Sequence, residues 1–264
     1  MAGFSTAPDL LPLRQKHNMI KHSLQLSQNR AIHQYWGRAS NIYLIEDHKA
    51  KETLMIDCGL PSDVKGLVDV LDSMPPIKRV VCTHYHVDHT AGWIQLKEVF
   101  RDCDIWLHEN ARPFVTGHER IPYPSLKDWF AVLIPCMKEY GYFPDLAGLF
   151  RGGLYGTPFK KKFPEDRVHF FGNNQQILPG FDTIYTPGHS PDSVSFHDPD
   201  SGVFVSGDFL IVIKGVVVKN PFVTSQEDQD SSLSKIRQIK GITHIYPGHG
   251  ICRPFSADIL DSGS

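Results

Sequence analysis

The segment Thr83-His84-Tyr85-His86-Val87-Asp88-His89 constrains this chain more than any other. Three imidazoles and one carboxylate follow directly on the apolar run Val80-Val81-Cys82. An apolar strand that ends abruptly in polar groups places those groups at the rim of a sheet. On extended backbone, residues two apart point to the same side, so His84 and His86 can share one ion. Asp88 and His89 fall where the chain must turn toward Thr90-Ala91-Gly92, which aims them at a neighbouring position. Imidazole and carboxylate suit zinc and comparable transition metals. A histidine-rich loop facing solvent is the competing reading, and the sharp switch from strand to polar cluster weighs against it.

Around this segment, short β-rich runs alternate with a few helical patterns, and there is no internal repeat. At 264 residues the chain is long enough for one large domain, read here as 1–264. Ala31–Glu46 and Thr53–Asp57 read as strands of a first sheet. Pro61-Ser62 opens a helix with Val64, Leu67, Val68 and Leu71 on one face, and Pro75-Pro76 lies beyond its end. A helix is expected over Thr90–Phe100 and a strand over Asp104–His108. Strands resume at Val168–Phe171 and Asp182–Thr186, and a hairpin follows around Asp198-Pro199-Asp200-Ser201-Gly202. A last helix carries Leu233, Ile236 and Ile239 and precedes the strand His244-Ile245-Tyr246. This order favours sheet packed on sheet with helices outside over a doubly wound parallel fold. Residues at about 109–167 are rich in Pro, Gly, Tyr and Phe, with one helical candidate at Leu126–Tyr140, and read as a partly helical insertion. Residues 1–30 read as an irregular N-terminal extension, faintly like a transit peptide but without its Arg-rich amphipathic pattern.

The pattern His84-x-His86-x-Asp88-His89 resembles the signature of the metallo-β-lactamase superfamily. Four further segments resemble that family in the expected order: Ile56-Asp57-Cys58-Gly59, Thr186-Pro187-Gly188-His189-Ser190, Ser206-Gly207-Asp208 and Pro247-Gly248-His249-Gly250. Each alone is ambiguous; the ordered set, over about residues 31–252 without the insertion, is specific. The resemblance implies an α+β fold, a four-layer αββα sandwich with metals at the strand-end rim. It implies that His84, His86 and His189 bind a first ion, that Asp88, His89 and His249 bind a second, and that Asp208 bridges them. Asp57 would orient a histidine from behind, or serve merely as a turn residue before Gly59. The implied cofactors are two zinc ions, with manganese or iron as alternatives. A hydroxide formed between two cations is a nucleophile at ordinary pH, and Asp88 can accept or relay its proton. Tyr85 either donates to a developing oxyanion or packs in the core.

The fold does not fix the substrate. A bridging Asp208 resembles thioesterases, lactonases and phosphodiesterases of the superfamily more than its zinc β-lactamases. Fifteen residues follow His249, too few for the helical glutathione-binding domain of glyoxalase II. A net charge of −2 gives no reason to expect nucleic acid, despite Lys160-Lys161-Lys162, and no apolar run is long enough to span a membrane. The five cysteines form no C-x-x-C pair and read as reduced, mostly buried thiols of a cytoplasmic protein. The expected function is a dinuclear metal-dependent hydrolase acting on the acyl carbonyl of a thioester or ester, acyl-CoA being one such substrate. Gln34–Ile45 and the Pro-Gly-His-Ser segment resemble acyl-thioester hydrolases, whereas Thr186–Pro191 also resembles acyl-homoserine lactonases. Further alternatives are a phosphodiesterase or nuclease, a mononuclear iron persulfide dioxygenase and a non-catalytic binding module. The partner is a small-molecule acyl substrate, a homodimer stays open, and insertion aromatics such as Phe114, Tyr123, Trp129, Phe130 and Tyr140 either line its pocket or hold the insertion together. Nine other histidines, His108 and His197 among them, lack ligand spacing.

Overall fold

The computed structural model describes residues 19–123, 125–140, 163, 166–173, 175–255 and 260. Seven strands lie side by side in sequence order: Ile20–Ser27 (β1), Arg30–Trp36 (β2), Asn41–Asp47 (β3), Glu52–Ile56 (β4), Ile77–Val81 (β5), Asp104–His108 (β6) and Val168–Phe171 (β7). The β1–β4 pairings are antiparallel and those from β4 to β7 parallel. Of the next strands, Asp182–Tyr185 (β8), Val194–Asp198 (β9) and Val203–Gly207 (β10) enter a second sheet, while Leu210–Ile213 (β11) and Val216–Lys219 (β12) make a separate hairpin. His244–Pro247 (β13) and Arg253–Pro254 (β14) complete the second sheet, whose order is β14-β13-β10-β9-β8.

Period-two alternation explains why these sheets stack. On β3, Tyr43 and Ile45 face the second sheet while Ile42 and Leu44 face helices. On β4, Leu54 and Ile56 point one way and Met55 the other; on β5, Val81 and Val80 do the same. From the opposite side Val194, Phe196, Val203, Val205 and Tyr246 fill the same inter-sheet core. Outside the first sheet, Val64, Leu67, Leu71, Trp93, Leu96 and Phe114 cover its second face. Outside the second, Leu233 and Ile236 of the helix Gln226–Gln238 pack on Phe204 and Ile245. The four layers are helix, sheet, sheet, helix: the αββα sandwich. Burying each such side chain contributes about 1.5–3 kcal/mol, and side chains interdigitating from both sheets fix the rim where the loops emerge.

Several local expectations need correction. Residues 20–27 are not part of an irregular extension: Ile20–Ser27 pairs with β2, and Leu24 and Leu26 on alternate positions pack into the inter-sheet core. Ala31–Glu46 is two strands broken at Gly37–Ser40 rather than one run. The helix expected from Thr90 is a single turn, Val87–Thr90, followed by Trp93–Val99. The helix Leu126–Tyr140 is present in the insertion, with Pro135 inside it. Lys160–Lys162 and much of the insertion lie outside the described residues. The five cysteines are free thiols, all buried except half-buried Cys252. Among the described residues no helix is long and apolar enough to cross a membrane.

Candidate metal centre

All seven predicted ligand residues and Asp57 lie just beyond the ends of strands at one rim of the sandwich. Asp57 follows β4, His84 to His89 follow β5, and His189 follows β8. Asp208 immediately follows β10, and His249 follows β13. Both sheets therefore contribute, which is why residues from distant parts of the chain meet. The turn geometry is tight. Gly207 has a φ of +51°, and a Cβ there would lie 2.7 Å from the Thr83 Cβ. At Gly248 a Cβ would collide with Asp208 Oδ1.

The structure brings together three overlapping groups whose ligand atoms lie within 4.8 Å of one another: His84/His86/His189, His84/His89/Asp208 and Asp88/His89/His249. In the first, His84 Nε2 and His189 Nε2 each sit 3.0 Å from His86 Nδ1. The far side of each ring settles which nitrogens these are. His86 Nε2–H donates to the Pro122 carbonyl at 3.2 Å, and His189 Nδ1–H donates to the Phe222 carbonyl at 3.0 Å. The Thr83 hydroxyl donates to Asp57 Oδ2 at 2.9 Å and so accepts from His84 Nδ1, 3.0 Å away. The inward nitrogens of these neutral rings consequently carry lone pairs, and three lone pairs at this spacing repel unless a cation lies among them. An ion bound tetrahedrally at about 2.0–2.1 Å from nitrogen separates its ligand atoms by roughly 3.3 Å. The donor set fits a metal.

The group Asp88/His89/His249 contains more acid. Asp88 Oδ2 lies 3.7 Å from His89 Nε2 and 3.5 Å from His249 Nε2. Asp208 stands between the groups: Oδ2 is 3.1 Å from His249 Nε2 and 3.6 Å from His189 Nε2, and Oδ1 is 3.4 Å from His89 Nε2. Among the described residues, buried His89 Nε2 and Asp208 Oδ1 face each other at 3.4 Å and make no well-formed hydrogen bond, which an ion would remedy. His89 Nδ1 lies 2.8 Å from Asp57 Oδ2, and Asp57 Oδ1 accepts from the Thr83 N–H at 2.7 Å. Asp57 itself holds a φ of +60°.

Titration follows the same division. Burial pushes His84 well below the ordinary imidazole value, with His89 and His86 pushing the same way. Burial and His189 lower His86 to about 3, and burial lowers His189 against the pull of Asp208. His89 goes the other way: burial disfavours its charge, but Asp57, Asp208 and Asp88 outweigh burial and raise it well above the usual value. Burial likewise opposes charge on His249, yet Asp208 and Asp88 raise it. Asp208 is disfavoured as an anion by burial, but His249 and His89 hold its carboxyl well below the usual range.

Sequence reasoning missed Thr83 as a link from Asp57 to His84, and Asn220, whose amide donates to Asp208 Oδ2 at 3.4 Å. It also missed Phe222, whose ring centroid lies 5.1 Å from that of His189 and 5.8 Å from that of His86. Small polar residues and lone aromatics have no spacing to betray them. Of the insertion aromatics, Tyr123 reaches the site, 5.6 Å from the His86 ring, and Phe114 is core. Phe130 is exposed, and the side chains of Trp129 and Tyr140 lie outside those described. Tyr85 packs against Phe114 and Phe163, which makes it core. His108 bonds Asn173 and stacks on Tyr185, and neither it nor His197 joins the cluster.

Comparison with known proteins identifies the family. The family described as the Metallo-beta-lactamase superfamily matches residues 35–249. The chain is 24% identical over 240 residues to the probable metallo-hydrolase YflN of Bacillus subtilis (strain 168), covering 84% of each chain. Among solved structures it is similar to a beta-lactamase domain protein from Burkholderia ambifaria, with a TM-score of 0.62 at 17% identity, covering 91% of this chain and 74% of that one. It is similar also to TTHA1623 in a di-iron-bound form, with a TM-score of 0.54 at 22% identity, covering 83% and 91% of the two chains. These structural likenesses concern the fold; the family match spans most of the chain, including every segment of the cluster. The chain belongs to the metallo-beta-lactamase superfamily.

Proposed function

We propose that this chain, as a metal-dependent hydrolase of its superfamily, attacks the acyl carbonyl of a thioester or ester at a centre holding two divalent ions. His84, His86 and His189 would hold the first ion, Asp88, His89 and His249 the second, and Asp208 would lie between them. The observation that carries this reading is the convergence of two such groups on one carboxylate, with Asp208 within 3.6 Å of His189 and 3.1 Å of His249. Zinc suits these nitrogen and oxygen donors, and manganese or iron would also fit. Two bound ions lower the pKa of a shared water toward neutrality and polarise a carbonyl oxygen.

The chain's own residues then do the rest. Asp88 takes the proton: its side chain is 24% exposed, against 6% for Asp208 and 1% for Asp57, so it is the acid of the cluster that water reaches. Tyr123 and Phe222 form an aromatic wall beside His86 and His189, suited to an apolar acyl group. Pro122 contacts His86, and Glu139 accepts from the Lys214 N–H at 2.7 Å. The described part of the insertion thus meets the rim at Pro122 and the β11–β12 hairpin at Glu139, where it would cap the site. The resemblance of Gln34–Ile45 to acyl-thioester hydrolases favours the thioester; that of Thr186–Pro191 to acyl-homoserine lactonases supports a lactone as the second reading. Purified protein assayed against acyl-CoA, lactone and phosphodiester panels, with metal content measured alongside, tests the choice. Thioester turnover is expected; lactone turnover without thioester turnover would overturn it.

A further inference from the structure

We propose that Ser40 and Asn41 are positioning residues that set occupancy of the second metal position while leaving the first alone, an inference that rests on the two-ion reading above. The dipeptide lies where β3 begins, and both residues are fully buried. It touches the two loops that bring Asp88 and His249 together, one from each sheet. Ser40 Oγ donates to the Asp88 carbonyl at 2.5 Å. Asn41 grips the other loop on both sides of His249: its backbone N–H donates to the Gly248 carbonyl at 2.7 Å, and Nδ2 donates to the carbonyls of Pro247 at 2.8 Å and Gly250 at 2.6 Å. Because carbonyls can only accept, the amide nitrogen must face them, so the side-chain orientation is determined. Tyr43 Oη adds a bond to Pro247 at 2.6 Å and Gln34 Nε2 one to Gly250 at 3.0 Å, so the loop is clamped from one strand pair.

The first position is held by different groups. His86 leans on Pro122, His189 on Phe222 and His84 on Thr83. Loss of the Ser40 or Asn41 bonds would free the Asp88 and His249 backbones to separate while His84, His86 and His189 keep their supports. Groups that orient metal ligands from behind typically change metal affinity by about 10–100-fold, and here that change should fall on one of two steps.

The test is titration of the full, metal-stripped chain with Zn2+, comparing the parent with Ser40→Ala and Asn41→Leu. The parent should bind two ions. Each variant should keep the first affinity and weaken the second by about 10–100-fold. That split is a readout that general destabilisation would not produce. If Asn41→Leu does not fold, Ser40→Ala, which removes one hydroxyl, decides alone. Two parental steps with both weakened alike, or neither changed, would overturn the inference and leave the two-ion reading standing. A parent that takes up one ion would overturn both.

Discussion

The two proposed metal positions sit side by side but are made of opposite electrostatic material. The first is three buried, neutral imidazoles whose inward nitrogens are fixed by carbonyl and hydroxyl partners behind them. The second is two imidazoles set among Asp57, Asp88 and Asp208, which draw protons onto His89 and His249. A preformed neutral nest should accept a metal without displacing protons. A carboxylate-rich one must exchange its protons for the ion. The contrast implies an ordered site, with a first position that fills readily and a second whose filling depends on pH.

The largest effect should come from deleting a residue of the first position. His189→Ala is expected to lower kcat/KM by about 10³-fold or more, since loss of the ion removes several kcal/mol of charge stabilisation. Metal analysis of the same variant should show the deficit; intact metal content with intact turnover would break the assignment. Next is Asp57→Ala. Asp57 supports His89 directly and His84 through Thr83, so both positions should weaken, each by about 10–100-fold. Metal titration would expose a loss confined to one position, which would cut Asp57 out of one branch.

Acid should separate the positions without mutation. His89 and His249, raised above the ordinary value, bind protons in competition with metal as pH falls. His86, lowered to about 3, stays neutral far into acid. The second ion should therefore leave at a higher pH than the first, seen as two steps in metal content across a pH series. For the metal-free chain the signs also differ. The stability contributed by neutral, buried His84, His86 and His189 is present above about 6.5 and is lost as pH falls. The contribution of the His89 and His249 ion pairs is present below that value and is lost as pH rises through their raised values. The smallest effect belongs to Tyr85→Phe. Among the described residues its hydroxyl, beside Phe114 and Phe163, is buried without a partner, so kcat should hold and stability stay level or rise. A tenfold fall in kcat would return Tyr85 to the chemistry.

The same contrast shows what could be read from sequence. The seven clustered residues were legible because strand ends deliver them in bursts, His84 to His89 above all, and because their order matches a family. The sandwich was legible through the order of strand and helix patterns and through the family that the ordered segments resemble. The supports were not. Ser40, Asn41, Thr83 and Asn220 are small polar residues whose roles depend on which loops lie opposite, and the sequence holds no trace of that. The strand β1 carried a weak signal in Leu24 and Leu26, diluted by exposed polar neighbours. The β11–β12 hairpin has its turn at Lys214-Gly215, both with positive φ, and its strands are short apolar runs that periodicity alone assigns poorly.

One cluster is proposed to hold two ions around Asp208. The direct measurement is the metal-to-protein ratio of the zinc-reconstituted chain by plasma mass spectrometry, alongside His249→Ala. Two ions per parent chain and one per variant chain are predicted. One ion in the parent, with full hydrolytic turnover, would contradict the account.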